Sequence, residues 1–273
     1  MRGRVLVIAG SDSGGGAGIQ ADIKTITALD AFAATAITAL TAQNTLGVHG
    51  VMPVPPDFIR QQIDVVMSDI GADVIKIGML GDAATIEAVC DALAASAPGV
   101  PIVLDPVMMA KGGHALLATE AVDVLRRRLL PMAAVTTPNL PEAEALSGRT
   151  IVTEAEMRTT ATALLALGAP AVLLKGGHLA SETVTDLLAT ADGIEAFQAP
   201  RIPTRHTHGT GCTTASALAA GLAQGMTLRD AVVRARAYVR AAIQSAPGMG
   251  QGHGPLNHAV TVDTGRLKYA ASS

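Results

Sequence analysis

The sequence predicts an α/β protein with a mostly parallel central sheet covered by helices on both faces. Short unbroken apolar runs alternate with longer stretches of helical periodicity along most of the chain. Within the runs there is no polar alternation, which is the pattern of strands buried on both faces. Gly, Pro, Asp or Asn follows nearly every run, so each strand stops in a turn. Strands joined through helices in this way make crossovers and a parallel sheet between helical layers.

Each element follows from its local pattern. Val5–Ala9 predicts a first strand ended by Gly10, and 11–16 is a Gly/Ser loop. A helix is expected over about Ala17–Leu29, with Ile19, Ile23 and Ile26 near helical spacing. Phe32–Leu40 reads as a strand, Pro53–Pro56 as a turn and Phe58–Met67 as an amphipathic helix. The strand Val74–Ile77 precedes a helix over Ala83–Ala95, whose apolar stripe takes in Ile86, Cys90 and Leu93. Ile102–Leu104 is a strand before Asp105-Pro106, Ala121–Leu130 a helix, and Ala133–Thr136 a strand before Thr137-Pro138. Helices over Pro141–Leu146 and Glu154–Leu167 lead to the strand Ala171–Lys175, which ends at Gly176-Gly177. Thr183–Leu188 and Gly193–Ala199 suggest an antiparallel ribbon, and helices over Thr213–Ala223 and Leu228–Gln244 complete the series. Without repeats or linkers, residues 1–262 are expected to form one domain and 263–273 a peripheral tail.

Composition narrows the function. Hydrophobic residues make up 49% of the 273 but aromatics only 2%, so the core must be aliphatic and a ring-shaped ligand must be held without much stacking. A formal charge of −3 lacks the basic footprint of a nucleic-acid binder. The start of the chain enters a strand without a charged leader, and no apolar stretch is long enough to span a bilayer, so a cytoplasmic setting is expected. Cys90 and Cys212 provide neither a disulfide framework nor metal-ligand spacing.

In open parallel sheets, ligands bind beyond the carboxyl ends of the strands. Asp12, Asp105, Asn139, Lys175 and His178 all follow strand runs and should share that edge. The strongest local signal is the stretch 207–215, THGTGCTTA, where glycines precede an Ala-rich helix. Gly209, Thr210, Gly211 and Cys212 would present unpaired N–H groups to phosphate oxygens and to charge developing during phosphoryl transfer. At a helix N-terminus the Cys212 pKa is expected to fall, making it a candidate proton acceptor. An ordinary helix cap around a small cysteine fits the same local pattern.

Other candidates surround it. Glu142, in the first turn after Asn139, and Asp105 offer hard oxygens for Mg²⁺. Lys175 can reach nucleotide phosphates as a point charge. The Gly-rich stretch 14–18 lets a small substrate approach backbone, and Asp22 beyond it can accept a hydrogen bond from a substrate hydroxyl. The Gln43 carboxamide has donors and an acceptor that suit an aminopyrimidine edge. Met79 and Val107 follow strands at the same edge. A capping box at Glu142, a turn at Asp105, solvated Lys175 and Asp22, a water-facing Gln43 and core packing of Met79 and Val107 are the plainer readings.

Taken together, these segments resemble the bifunctional hydroxymethylpyrimidine kinase/phosphomethylpyrimidine kinase family of thiamine biosynthesis. The resemblance runs from VIAGSD at 7–12 to GHGPLNH at 252–258. It includes GGAGIQAD at 15–22, TALTAQNT at 38–45, KIGML at 76–80, TPNLPE at 137–142, KGGH at 175–178 and HGTGC at 208–212. It implies a ribokinase-like three-layer α/β/α sandwich, ATP as co-substrate, Mg²⁺, and a homodimer without nucleic-acid or membrane partners. A monovalent cation stays open as a further cofactor. By resemblance, Gln43 reads the pyrimidine edge, Asp22 the hydroxymethyl side, and Gly10, Met79 and Val107 line the ring pocket. Cys212 stands where many superfamily members have a catalytic Asp, and Asp105 and Glu142 organise Mg²⁺. Asn139, Lys175, Thr207 and the amides of Gly209 to Cys212 hold the nucleotide. The nearest rivals are a pyridoxal/pyridoxine kinase and a non-catalytic binding protein on the same scaffold.

Overall fold

In the computed structural model, which describes residues 1–110 and 113–266, the strand runs form one nine-stranded sheet. The chain order is β1 (Arg4–Asp12), α1 (Gly18–Ala28), β2 (Phe32–Asn44), β3 (Gly47–Pro53), α2 (Pro56–Asp69), β4 (Val74–Ile77) and α3 (Ala83–Ser96). It continues through β5 (Ile102–Leu104), α4 (Ala121–Val124), β6 (Val135–Thr136), α5 (Leu140–Ser147), α6 (Glu154–Leu165) and β7 (Ala171–Leu174). The ribbon β8 (Thr183–Thr190) and β9 (Gly193–Pro200) precedes α7 (Thr210–Ala223) and α8 (Leu228–Gln244). Across the sheet the order is β3-β2-β1-β4-β5-β6-β7-β8-β9. The strands from β2 through β7 in that order are parallel, while β3, β8 and β9 pair antiparallel at the two edges.

Strand alternation explains the two cores. Leu6 and Ile8 of β1, with Ile75 and Ile77 of β4, pack under α2, α3, α5 and α6. Val5, Val7 and Ala9 of β1, with Val74 of β4, pack on the other face under α1, α7 and α8. Each fully buried Val, Leu or Ile contributes about 1.5–3 kcal/mol relative to exposure, so the central strands anchor both helical layers. Lys76 lies between Ile75 and Ile77 and therefore points toward α1 and α7.

Three departures have local causes. Beyond Leu40, where the expected strand ended, the chain extends β2 to Asn44 and adds β3 up to Pro53, the first residue of the expected turn. β3 is an edge strand with mostly exposed residues, so it lacks the apolar signal of the interior strands. The helix expected over Ala121–Leu130 is regular only through Val124. It then widens into a π turn over Leu125–Leu129 and tightens into a 3₁₀ turn over Leu130–Met132, where Pro131 cannot supply a helical N–H. α7 begins three residues earlier than its periodicity indicated, so the Gly209–Cys212 turn is already its N-cap and first turn. Of the expected tail, 267–273 lies outside the described residues.

Candidate active site

A cleft of about 780 Å³ opens at the carboxyl edge of the sheet. Gly10, Gln43, Met79 and Val107 line one end; Asp105, Gly209, Thr210, Gly211 and Cys212 lie along it with Asn139, Glu142, Lys175 and Thr207. All the candidate residues named from sequence border it except Asp22.

The anion hole expected from the sequence would be built of backbone. Gly209 is the α7 N-cap with φ of +82° and contributes no side-chain cap; the Thr210 N–H bonds the Thr207 carbonyl at 3.3 Å, which leaves the Gly211 and Cys212 N–H groups to face an anion. Glycine is required at 209 twice over. A Cβ there would sit 1.8 Å from the Gly16 carbonyl oxygen, and the left-handed φ itself disfavours other residues. Thr210 Oγ1 donates to the Thr207 carbonyl at 2.7 Å and pins the turn.

The Gln43 side of the cleft is fastened to this turn. Asp12, at the end of β1, accepts the Gly14 N–H through Oδ1, and the Gly16 and Ala17 N–H groups and His208 Nε2 through Oδ2. Burial opposes its charge, but His208 and the Ala17 and Gly14 N–H groups outweigh it and hold the carboxyl below its ordinary pKa. His208 Nε2, 2.8 Å from that carboxylate, therefore carries a proton. Gln43 sits at the end of β2. Its backbone is clamped by Ser13, whose hydroxyl donates to the Gln43 carbonyl at 2.9 Å and accepts its N–H at 2.8 Å. Its carboxamide lies 3.2 Å from Thr41 Oγ1 and 3.5 Å from His208 Nε2.

On the opposite side, Lys175 Nζ meets Asp105 Oδ1 at 2.9 Å, and Thr137 Oγ1 donates to the same oxygen at 3.0 Å. Burial pulls Lys175 toward neutrality, but the charges of Asp105 and Glu142 outweigh it and raise its pKa. Glu142 is indeed part of a capping box: its Oε2 accepts the Asn139 N–H while its own N–H bonds Asn139 Oδ1. The plainer reading is therefore present, and it coexists with a place on the cleft wall. Burial pushes the Glu142 pKa up, with Lys175 opposing and Asp105 adding to the rise.

Two expectations are corrected. Asp22 cannot meet a substrate hydroxyl directly. Its carboxylate is fully buried, held by Lys76 Nζ at 2.9 Å to each oxygen and by Ser216 Oγ at 2.6 Å. Cys212 does not have a lowered pKa. Burial pushes its thiol up to about 11; Lys76 opposes this, while Asp22 and Asp105 add to it. The helix terminus favours a thiolate, but removal from water costs more.

Sequence reasoning missed Lys76 as a functional candidate, although KIGML was one of its markers. The available signal was a lysine inside the apolar run VIKI, since a buried ammonium demands a partner. His208 was likewise quoted only as part of a motif. Its partner, Asp12, lies 196 positions away in the chain.

The family model for phosphomethylpyrimidine kinase matches residues 12–257. A hydroxymethylpyrimidine/phosphomethylpyrimidine kinase of Haemophilus influenzae is 51% identical over 259 residues, covering 93% of this chain and 96% of that protein. A thiamine biosynthesis bifunctional protein of Geobacter sulfurreducens is 52% identical over 262 residues, 96% of this chain; the chain spans 53% of that longer relative. Among solved structures, the pyridoxal kinase of Bacillus subtilis in an ADP complex superposes with a TM-score of 0.89 at 37% identity, over 96% of this chain and 100% of that one. With the family model matching residues 12–257, and with the cleft at the carboxyl edge of the sheet formed almost wholly within that range, the chain belongs to the phosphomethylpyrimidine kinase family.

Proposed function

We propose that the protein transfers the γ-phosphoryl group of ATP to the hydroxymethyl group of 4-amino-5-hydroxymethyl-2-methylpyrimidine, then phosphorylates the monophosphate to the diphosphate. The observation that carries this reading is one continuous cleft across the sheet edge, with Gln43 on β2 toward one side and Asn139 and Lys175, just after β6 and β7, toward the other. The two acceptors named for the Haemophilus relative, and the ADP held by the Bacillus structure, agree with it.

Each residue has a task in this reading. Gln43 pairs with the aminopyrimidine edge, while Gly10, Met79 and Val107 enclose the ring. The hydroxymethyl group points to Cys212. The N–H groups of the Gly209–Cys212 turn receive the charge that spreads over the transferring phosphoryl oxygens. Lys175, Asn139 and Thr207 orient the triphosphate. Asp105 and Glu142 fit Mg²⁺, since they are hard oxygen donors bordering the same cleft. A bound Mg²⁺ would supply positive charge to the nucleotide phosphates. Cys212 rests as a thiol, so positioning and the anion hole carry most of the first transfer; only its thiolate, formed by release of the thiol proton to solvent, takes the hydroxyl proton as the oxygen bonds to phosphorus and ADP leaves.

A second reading, pyridoxal kinase, is favoured by the Bacillus structure. ADP release with hydroxymethylpyrimidine, its monophosphate and pyridoxal separates the two. Turnover of both pyrimidine acceptors at higher kcat/KM than pyridoxal is expected; preference for pyridoxal overturns the assignment. We also propose a homodimer, supported by the exposed apolar Leu40, Val51, Met52 and Phe58 on β2, β3 and α2. Light scattering giving a monomer at micromolar concentration would reject it. Use of ATP suits a cytoplasmic setting, and among the described residues no helix is long and apolar enough to cross a membrane.

A further inference from the structure

Below the reaction centre lies a charged pair with no evident duty in binding either substrate. Lys76 Nζ and both Asp22 oxygens are 2.9 Å apart, and both side chains are 0% exposed. As a source of stability this is a poor arrangement. Two aliphatic side chains could fill the space without the cost of desolvating two charges. Burial raises the Asp22 pKa, yet its partners, an ammonium and the Ser216 hydroxyl, both donate and need a carboxylate acceptor. The pair is therefore ionised.

Its position is set by two helices in register. On α1, Gly18 and Asp22 are one turn apart; on α7, Cys212 and Ser216 are one turn apart. The Ser216 hydroxyl donates to Asp22, and one turn toward the cleft the Gly18 backbone faces the Cys212 thiol. These contacts are successive rungs between the helices, so the charged pair sits one turn behind the thiol. Lys76 rises from β4 into the same layer and also borders the cleft. Beside it, Gly78 leaves the ammonium room: a Cβ there would lie 3.0 Å from Nζ.

We propose that Lys76 is a positioning residue for Cys212, its ammonium fixed by Asp22, which Ser216 holds in turn, as the counter-charge for negative charge arising on the thiol. The extension of this role to phosphoryl transfer rests on the kinase reading above. Among the charged groups acting on Cys212, Lys76 is the largest influence stabilising the thiolate, whereas Asp22 and Asp105 disfavour it. Lys175 also faces the thiol from the other side of the site.

The two members of the pair should thus act on Cys212 in opposite directions. In a Cys90→Ala background Cys212 is the sole thiol, and its rate of alkylation by iodoacetamide can be followed against pH. Asp22→Asn keeps the ammonium and removes the opposing carboxylate, so the midpoint of thiol ionisation should move down by about one pH unit or more. The double variant Lys76→Met/Asp22→Asn avoids an unpaired buried charge and should move the midpoint up. It should also lower kcat for the hydroxymethyl acceptor while leaving the ATP KM within about twofold, a split that loosened packing alone would not give. Circular dichroism and melting establish that each variant is folded. Unchanged midpoints, or shifts of both variants in the same direction, overturn the proposal. Alkylation needs no acceptor, so an error in substrate assignment would appear separately as wild-type inactivity on the pyrimidines with the opposite shifts intact.

Discussion

Two Lys–Asp pairs flank the same thiol, and they differ in their access to water. Lys76–Asp22 and Lys175–Asp105 both close at 2.9 Å. The first pair is 0% exposed on both sides; the second is 14% exposed at Lys175 and 2% at Asp105. Lys76 comes from within β4, whereas Lys175 comes from the turn just beyond β7. A sealed pair cannot exchange partners without opening the core. A pair at the cleft can: on the proposed reading an incoming phosphate offers Lys175 a substitute for Asp105. Similar contacts thus serve as a fixed charge in one place and an exchangeable one in the other.

The largest expected effect breaks the sealed pair. Lys76→Met strands Asp22 as a buried, uncompensated carboxylate and should cost about 3–5 kcal/mol in urea unfolding. Adding Asp22→Asn should recover much of that loss. If the single variant is as stable as wild type, the pair is not ionised.

The next effect concerns the thiol. Cys212→Ala should slow transfer to the hydroxymethyl acceptor by roughly 10²-fold, the scale of a lost general base. Transfer to the monophosphate, whose phosphate is already anionic, should slow less. Equal losses in the two assays would deny Cys212 a proton-accepting role. Because its pKa is pushed up to about 11, wild-type Cys212 without ligands should react slowly with iodoacetamide at pH 7 and faster as the pH approaches that value.

Opening the exchangeable pair should touch kinetics more than folding. Lys175→Ala should lower kcat/KM for ATP by about 10- to 100-fold, equivalent to about 1.5–3 kcal/mol for a hydrogen bond to a charged group. Its unfolding free energy should fall less than that of Lys76→Met. The reverse ranking would erase the distinction between the pairs. The smallest effect sharpens it: Gly78→Ala places a methyl 3.0 Å from Lys76 Nζ and 3.1 Å from Ala9 Cβ, and should cost about 1 kcal/mol by overpacking. A melting temperature unchanged from wild type would show that the sealed pair yields easily.

The same contrast explains what sequence could reveal. β1, β5 and β7 are legible because burial on both faces leaves an unbroken apolar run, and in β4 only Lys76 interrupts it. β3 is not, because an exposed edge strand can be polar and Gly-containing. Asp105, Glu142 and Lys175 could be placed at the cleft because each closely follows a parallel strand, and the strand rule sends such residues to one edge. Asp22 could not be placed correctly. Its partner is 54 positions away on a strand, and only the folded chain shows that Lys76 reaches it from below. Cys212 illustrates a different limit. Its place at a helix N-terminus is local information, but the burial that raises its pKa depends on α1 and the sheet packing around it.

The contact between Gly209 and the Gly16 carbonyl has a consequence for changing what the enzyme accepts. The loop that borders the acceptor and the turn that would hold phosphate are interlocked at a point with no room for one added carbon. Widening the pocket by lengthening or displacing that loop would move the phosphate cradle with it, trading reach for misalignment. Altered acceptor range is better sought in the side chains of Met79 and Val107, which border the pocket without belonging to the interlock.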